Sequence, residues 1–403
     1  MLGKIRNLAT GALRSRVAVF AAMALLHGAY AILTGPRLSS DSTTYIGWAN
    51  NLVASNFDYS AVPGSGALLK PTIILRASFI YLIALLQLVA GDRWQVVFVA
   101  LNIAANAAGA VLLTSLIWRV TASAMAVAVG LLSYALSYDI VQWTPFVLSD
   151  SIFLFLAVWI FAALVQIVRG SAGRSGWISL MAGLILALSF RPTGVVLLAV
   201  TVVAIPLGTL VRSRNPGRSR NSGLVLSVVV GLILGIMFTA AFFYQRPERW
   251  PVGLFERTVR TYSHDFSRGE VVHHRPETYH QPPGRLAEYV AISADRFIRF
   301  FQFYVGAFSK SHNLINVLFF VPVYFLSAIG MSAVLARNRD VAAAASVAIV
   351  GVLMFATFHS VTQLDFDWRY RIPALPYLFF LAALGGWMLE QRFASRRASL
   401  ATG

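Results

Sequence analysis

Residues 72–90 read TIILRASFIYLIALLQLVA, an apolar stretch of 19 residues with a single charge, Arg76. A membrane-crossing helix needs about 20 mainly apolar residues, so this stretch stands at the boundary between crossing and not crossing. The choice fixes which way every later segment faces. Ten other apolar runs are spaced along the chain, at 17–34, 94–118, 122–138, 151–168, 177–190, 194–211, 223–244, 313–336, 341–358 and 373–390.

Basic clusters between these runs decide the matter. Lys4, Arg6, Arg14 and Arg16 precede the first run, Arg119 follows the second, and Arg169 and Arg174 share a short loop. Arg212, Arg214, Arg218 and Arg220 crowd another loop, Arg337 and Arg339 a third, and Arg392, Arg396 and Arg397 follow the last run. With ten crossings and 72–90 excluded, all six clusters fall on one face. That face then carries 16 Lys/Arg against Asp340 and Glu390, whereas the other carries 17 basic and 14 acidic residues. Such asymmetry marks the cytoplasmic side. A full crossing by 72–90 would scatter the later clusters, and Arg76 would be costly in a lipid-facing helix. The expectation is therefore that 72–90 lies in the interface or re-enters.

Composition agrees. Of 403 residues, 58% are hydrophobic and 12% charged, about half the charge of a typical soluble domain, and the mean hydropathy is +0.69. A water-soluble enzyme is excluded. The absence of cysteine excludes disulfides, Cys-ligated metals and thiol nucleophiles. A formal charge of +17 would suit nucleic acid, but here it is distributed as short inter-span clusters, and no nucleic-acid partner is expected. The chain reads as one all-α integral membrane domain, 1–403, of about ten transmembrane helices plus interfacial helices in its outer loops. The long outer segments are 35–93 and about 245–312, the latter holding five of the seven histidines.

Chemistry-bearing residues gather on the outer face. Asp41 opens a segment in which positions 41, 45, 48 and 52 share one helical face. It is either an N-cap or a carboxylate poised as general base. Lys70, before Pro71, is either a snorkelling anchor or a phosphate ligand. Asp150, at the start of 151–168, has a helix-start reading of its own. Arg191, followed by Pro192, interrupts an apolar run at the outer interface, where an ionisable residue is functional by default; the alternative is a headgroup contact. Arg369 and Arg371 precede the last span and either pair with Asp365 and Asp367 or add positive charge to an anion site. His264, His273, His274 and His280, with Asp265, Glu270 and Glu277, match no metal-ligand spacing. No metal and no other cofactor is expected, and no nucleotide-binding fingerprint is present.

Taken in order, Asp41-x-x-x-Tyr45, Lys70-Pro71, Pro145-x-x-x-Ser149-Asp150, Arg191-Pro192-Thr193-Gly194 and Arg369-Tyr370-Arg371-x-Pro373 resemble the membrane glycosyltransferases of the GT-C fold. The nearest branch is similar to bacterial protein O-mannosyltransferases and the aminoarabinose transferase of lipid A, and the resemblance extends through residue 390. It implies a polyprenyl-phosphate-sugar donor and a glycan, glycolipid or protein acceptor. It also implies inverting transfer on the extracytoplasmic face of the bacterial inner membrane, in cell-envelope biogenesis. It implies Asp41 as catalytic base with Asp150 as a second catalytic carboxylate, Tyr45 as a substrate contact, and Lys70, Arg191, Arg369 and Arg371 at the donor phosphate. Lys70 is followed by one proline rather than the common pair, and the metal ligands of some relatives have no counterpart. The competing reading is a transporter or flippase of an anionic lipid or lipid-linked sugar, against which stands the lack of inverted internal symmetry.

Overall fold

The computed structural model describes residues 15–62, 76–213, 294–304, 309–362 and 368–402. These are helical apart from connecting turns and one isolated bridge between Arg37 and Phe146. In chain order the helices are α1 (Arg16–Thr34), α2 (Ser40–Ala54), α3 (Ala77–Ala90), α4 (Trp94–Thr121), α5 (Ala124–Ala135), α6 (Tyr138–Val141), α7 (Asp150–Val168), α8 (Arg174–Phe190), α9 (Gly194–Ser213), α10 (Lys310–Met331), α11 (Arg339–Thr362) and α12 (Leu375–Thr402). Residues 294–300 are also helical.

Seven helical runs among the described residues are long and apolar enough to cross a membrane: Arg16–Thr34, Ala77–Thr121, Asp150–Val168, Gly194–Ser213, Lys310–Leu335, Arg339–Ser360 and Arg369–Arg396. The chain is thus a multi-pass helical membrane protein. About ten crossings were expected. The runs 122–138 and 177–190 correspond to shorter helices of 12 and 17 residues, and 223–244 lies outside the described residues. Nearly all of the α11 span is buried while about a fifth of the α1 span is. α11 therefore forms the centre of the bundle and α1 its rim.

Within Ala77–Thr121 the backbone turns at Gly91, whose φ of +52° is one that side-chain-bearing residues seldom adopt. This turn separates α3 from α4. At 14 residues and 1.5 Å per residue, α3 is about 21 Å long, short of the roughly 30 Å of a bilayer core. Its first turn meets the end of α8, where Ser78 donates to Ser189 at 2.7 Å and the Phe79 and Phe190 rings are 5.5 Å apart. Toward its other end Gln87 donates to Asn50 of α2 at 2.9 Å.

The two ends of the bundle are chemically distinct. At one end Asp340 receives Arg169 at 3.5 Å and Arg212 at 3.2 Å, joining two of the basic clusters. Ser123, which caps α5, also donates there to Glu390. At the other end lie Asp41, Asp139, Asp150, Arg191, Arg369 and Arg371. α7 links the two ends with 19 residues, about 28 Å. α10 and α12 approach so closely that a Cβ on Gly330 would strike the Leu381 carbonyl, and one on Gly385 the Leu326 carbonyl. Small residues permit such backbone contact between helices in lipid.

Candidate functional site

The 3-10 segment Trp368–Ala374 enters α12 and spreads alternate side chains to different neighbours. Arg369 Nη2 donates to Asp41 Oδ2 at 2.8 Å. Arg371 Nε donates to Asp139 Oδ2 at 2.7 Å and Nη1 to the Gln302 carbonyl at 2.7 Å, with its guanidinium 4.2 Å from the Phe320 ring centre. Between them, the Tyr370 ring lies 5.9 Å from the guanidinium of Arg191 and 5.7 Å from that of Arg369. These two cations are therefore less than 12 Å apart. Arg191, the C-cap residue of α8, pairs with Asp150 of α7. Trp143 covers Arg369 at 5.6 Å, and His359 stacks on Tyr370 at 5.1 Å.

Burial grades the three pairs. Arg371 and Asp139 have side chains 2% and 1% exposed, and Arg191 and Asp150 are 11% and 3% exposed. In the third pair Arg369 is 13% exposed but Asp41 is 43% exposed. A buried pair in low dielectric is held firmly, because loss of one member strands the other. A pair open to water exchanges partners readily. Asp41 is thus the one carboxylate of the three that an incoming group can reach.

Asp41 is not the helix cap. Ser39 caps α2, accepting from the Ser42 backbone at 3.2 Å, while Ser42 Oγ accepts from the Ser39 backbone at 3.0 Å. With the cap filled by this reciprocal box, the Asp41 carboxylate is left to Arg369. Tyr45, one turn later, packs edge-on to Phe79 at 5.2 Å and Trp48 at 5.7 Å, under the Arg76 guanidinium. The structure thus gives Tyr45 an aromatic packing role beside the site and does not bring it into the ion-pair cluster. Arg369 and Arg371, for which Asp365 and Asp367 were one expectation, have Asp41 and Asp139 as partners. Lys70, Asp365, Asp367 and the histidines at 264, 273, 274 and 280 lie outside the described residues. Among the described residues no group of three metal-ligating side chains occurs. Burial pushes the Tyr59 phenol up to about 12, so near neutrality it offers a hydroxyl and no phenolate.

Sequence reasoning missed a second layer. Below Asp150, His27 Nδ1 lies 2.7 Å from Thr144 Oγ1, and Asn106 donates to Thr144 at 3.1 Å and Ser151 at 3.2 Å. Asn102 donates to the Thr144 and Phe146 carbonyls at 3.0 and 2.9 Å, and Arg37 N donates to the Pro145 carbonyl at 2.8 Å. Together they fix the turn that delivers Trp143 and Asp150. Their available signal was polarity inside apolar runs, at His27, Asn102 and Asn106. Asp139 was also missed, though it lies between the apolar runs 122–138 and 151–168.

Fold and site together define a multi-pass helical membrane protein with an ion-paired, aromatic-lined cluster at one end. Neither family models, nor curated proteins, nor solved structures give a match to the chain.

Proposed function

We propose that the protein is a glycosyltransferase of the bacterial inner membrane. It moves a sugar from a polyprenyl-phosphate donor to an acceptor hydroxyl on the extracytoplasmic side, with inversion. The observation that carries this reading is the half-exposed Asp41 carboxylate held beside an aromatic platform by Arg369, whose guanidinium lies within 12 Å of that of Arg191. Asp41 takes the acceptor proton as the acceptor oxygen attacks the anomeric carbon. The bond from that carbon to the phosphate oxygen breaks, and its electron pair leaves on the lipid phosphate. Inversion requires the base and the leaving phosphate on opposite faces of the sugar. Arg369, bonded to Asp41, therefore orients the base, and the phosphate falls to Arg191 and Lys70. Fixed cations at the departing oxyanion are the largest source of such catalysis. Arg371, sealed against Asp139, is structural. In this reading α3 lies in the outer interface and ten segments cross.

Transfer by purified protein in proteoliposomes, offered a panel of polyprenyl-phosphate sugars, tests the activity. No transfer from any donor would refute it. For the phosphate role, Arg191→Ala alone would strand the buried Asp150, so the informative variant is the neutral pair Arg191→Gln with Asp150→Asn. It should stay folded and bind polyprenyl phosphate about tenfold or more weakly, the scale of a lost charged hydrogen bond. Undiminished affinity would remove Arg191 from the phosphate. The topology predicts that Ser60→Cys reacts with an impermeant reagent from outside the cell and Arg119→Cys only after permeabilisation. Outside labelling at 119 would overturn the ten-crossing arrangement.

The His27–Asn106 network between the spans α1 and α4 is the observation that favours a transporter, which needs polar groups at depth. Lipid movement across proteoliposomes without cleavage of the sugar–phosphate bond would select that reading.

A further inference from the structure

On the flank of the bundle, away from the charged cluster, an open groove of about 520 Å³ is lined by one face each of α1, α4 and α7. α1 contributes Arg16, Val17 and Phe20; α4 contributes Ala108, Val111 and Leu112; α7 contributes Phe155 and Trp159. Every lining residue except Arg16 is apolar or aromatic, and the volume is within the usual range of about 300–1,000 Å³ for small-molecule sites. Helical register runs the groove from the start of α1 at the Asp340 end to mid-span, where Trp159 is the middle residue of α7 and Phe155 stands one turn farther on. His27 of α1 meets Asn106 of α4, and the lining residues of both helices lie beyond that layer, toward Arg16 and Arg119. The groove therefore does not lead to Asp41.

An apolar groove on a membrane-embedded flank is filled by hydrocarbon. Arg16 adds a requirement at its mouth. It begins α1 immediately after the capping Ser15, no carboxylate pairs with it among the described residues, and Lys4, Arg6 and Arg14 precede it in sequence. We infer that the groove is a lipid site, holding one acyl chain of an anionic phospholipid with the headgroup at Arg16. The chain runs toward the bilayer midplane along Phe20, Leu112 and Trp159 to Phe155. Trp159 is fixed by donating its indole N–H to Ser179 at 2.6 Å, which keeps its ring as part of the wall. This inference is independent of the proposed transferase activity.

Trp159 also makes the site observable. The full-length protein is placed in nanodiscs of phosphatidylcholine with increasing phosphatidylglycerol, the bromine-labelled acyl chains being carried by one lipid or the other. The Trp159 signal is the emission difference between wild type and Trp159→Phe. Brominated phosphatidylglycerol should quench it at about fivefold lower mole fraction than brominated phosphatidylcholine, the preference one arginine near an anionic headgroup supplies. Arg16→Gln should abolish the preference but keep the quenching, and Ala108→Phe, which fills the groove, should remove quenching by both. Equal quenching by the two lipids in wild type would overturn the site, as would a preference that survives Arg16→Gln. If Ala108→Phe fails to fold, Val111→Trp serves as the blocking variant.

Discussion

Arg371→Leu should destabilise the protein by about 3–5 kcal/mol, the cost of stranding a buried charge whose partner has been removed. The stranded group is Asp139, 1% exposed, in a setting completed by the Phe320 ring. Thermal unfolding in detergent, or the yield of monodisperse protein where Arg371→Leu does not survive, reads the effect. The double variant Arg371→Leu with Asp139→Leu should recover most of the loss, because an apolar pair of similar volume dispenses with the desolvation of both ions. A single variant as stable as wild type would show that the pair does not pin Trp368–Ala374 to α6.

Asp41→Asn should do the opposite, leaving the fold and removing the chemistry. The cap of α2 belongs to Ser39 and Ser42, so the amide disturbs no helix terminus. The pair with Arg369 is open to water at Asp41, and exposed pairs are worth about 1 kcal/mol or less. An amide cannot accept the acceptor's proton, and general-base catalysis contributes about 10²–10⁴ in rate. Transfer should fall by that factor while polyprenyl-phosphate binding is retained. Near-normal turnover would dismiss Asp41 as the base and leave Asp150 as the next carboxylate to test, although its burial against Arg191 argues for a supporting role.

Much of the architecture is legible in the chain because hydrocarbon thickness and charge asymmetry act over short windows. The apolar runs become helices, Gly91 ends α3 at 14 residues, and the clusters holding Arg169 and Arg212 meet at Asp340. The helix count is less legible, since the run 122–138 yields a helix of 12 residues and the run 177–190 one of 17, both shorter than the seven runs long enough to cross. At the site, Asp41, Asp150, Arg191, Arg369 and Arg371 stand out as charges at span ends. Their pairing does not, because Arg369 reaches back 328 residues to Asp41 and Arg371 reaches back 232 to Asp139. Asp139 passed unnoticed because its importance comes from a partner in a distant segment. Of the two readings left open for Asp41, the cap falls to Ser39 two residues earlier, since both are good capping residues and only the backbone geometry chooses between them.

Those long separations also have a meaning in time. Translation at about 5–20 residues per second delivers Asp41 and Asp139 well before the arginines that neutralise them. Even at the fastest of those rates, Arg369 follows Asp41 by more than about 15 seconds. Asp150 waits only 41 residues for Arg191, so that pair closes while the chain is still growing. The nascent protein thus passes through a period in which Asp139 has no counter-ion, and any product that terminates before residue 369 leaves the ribosome without an assembled site. On the proposed reading, transfer begins only when the last segment arrives.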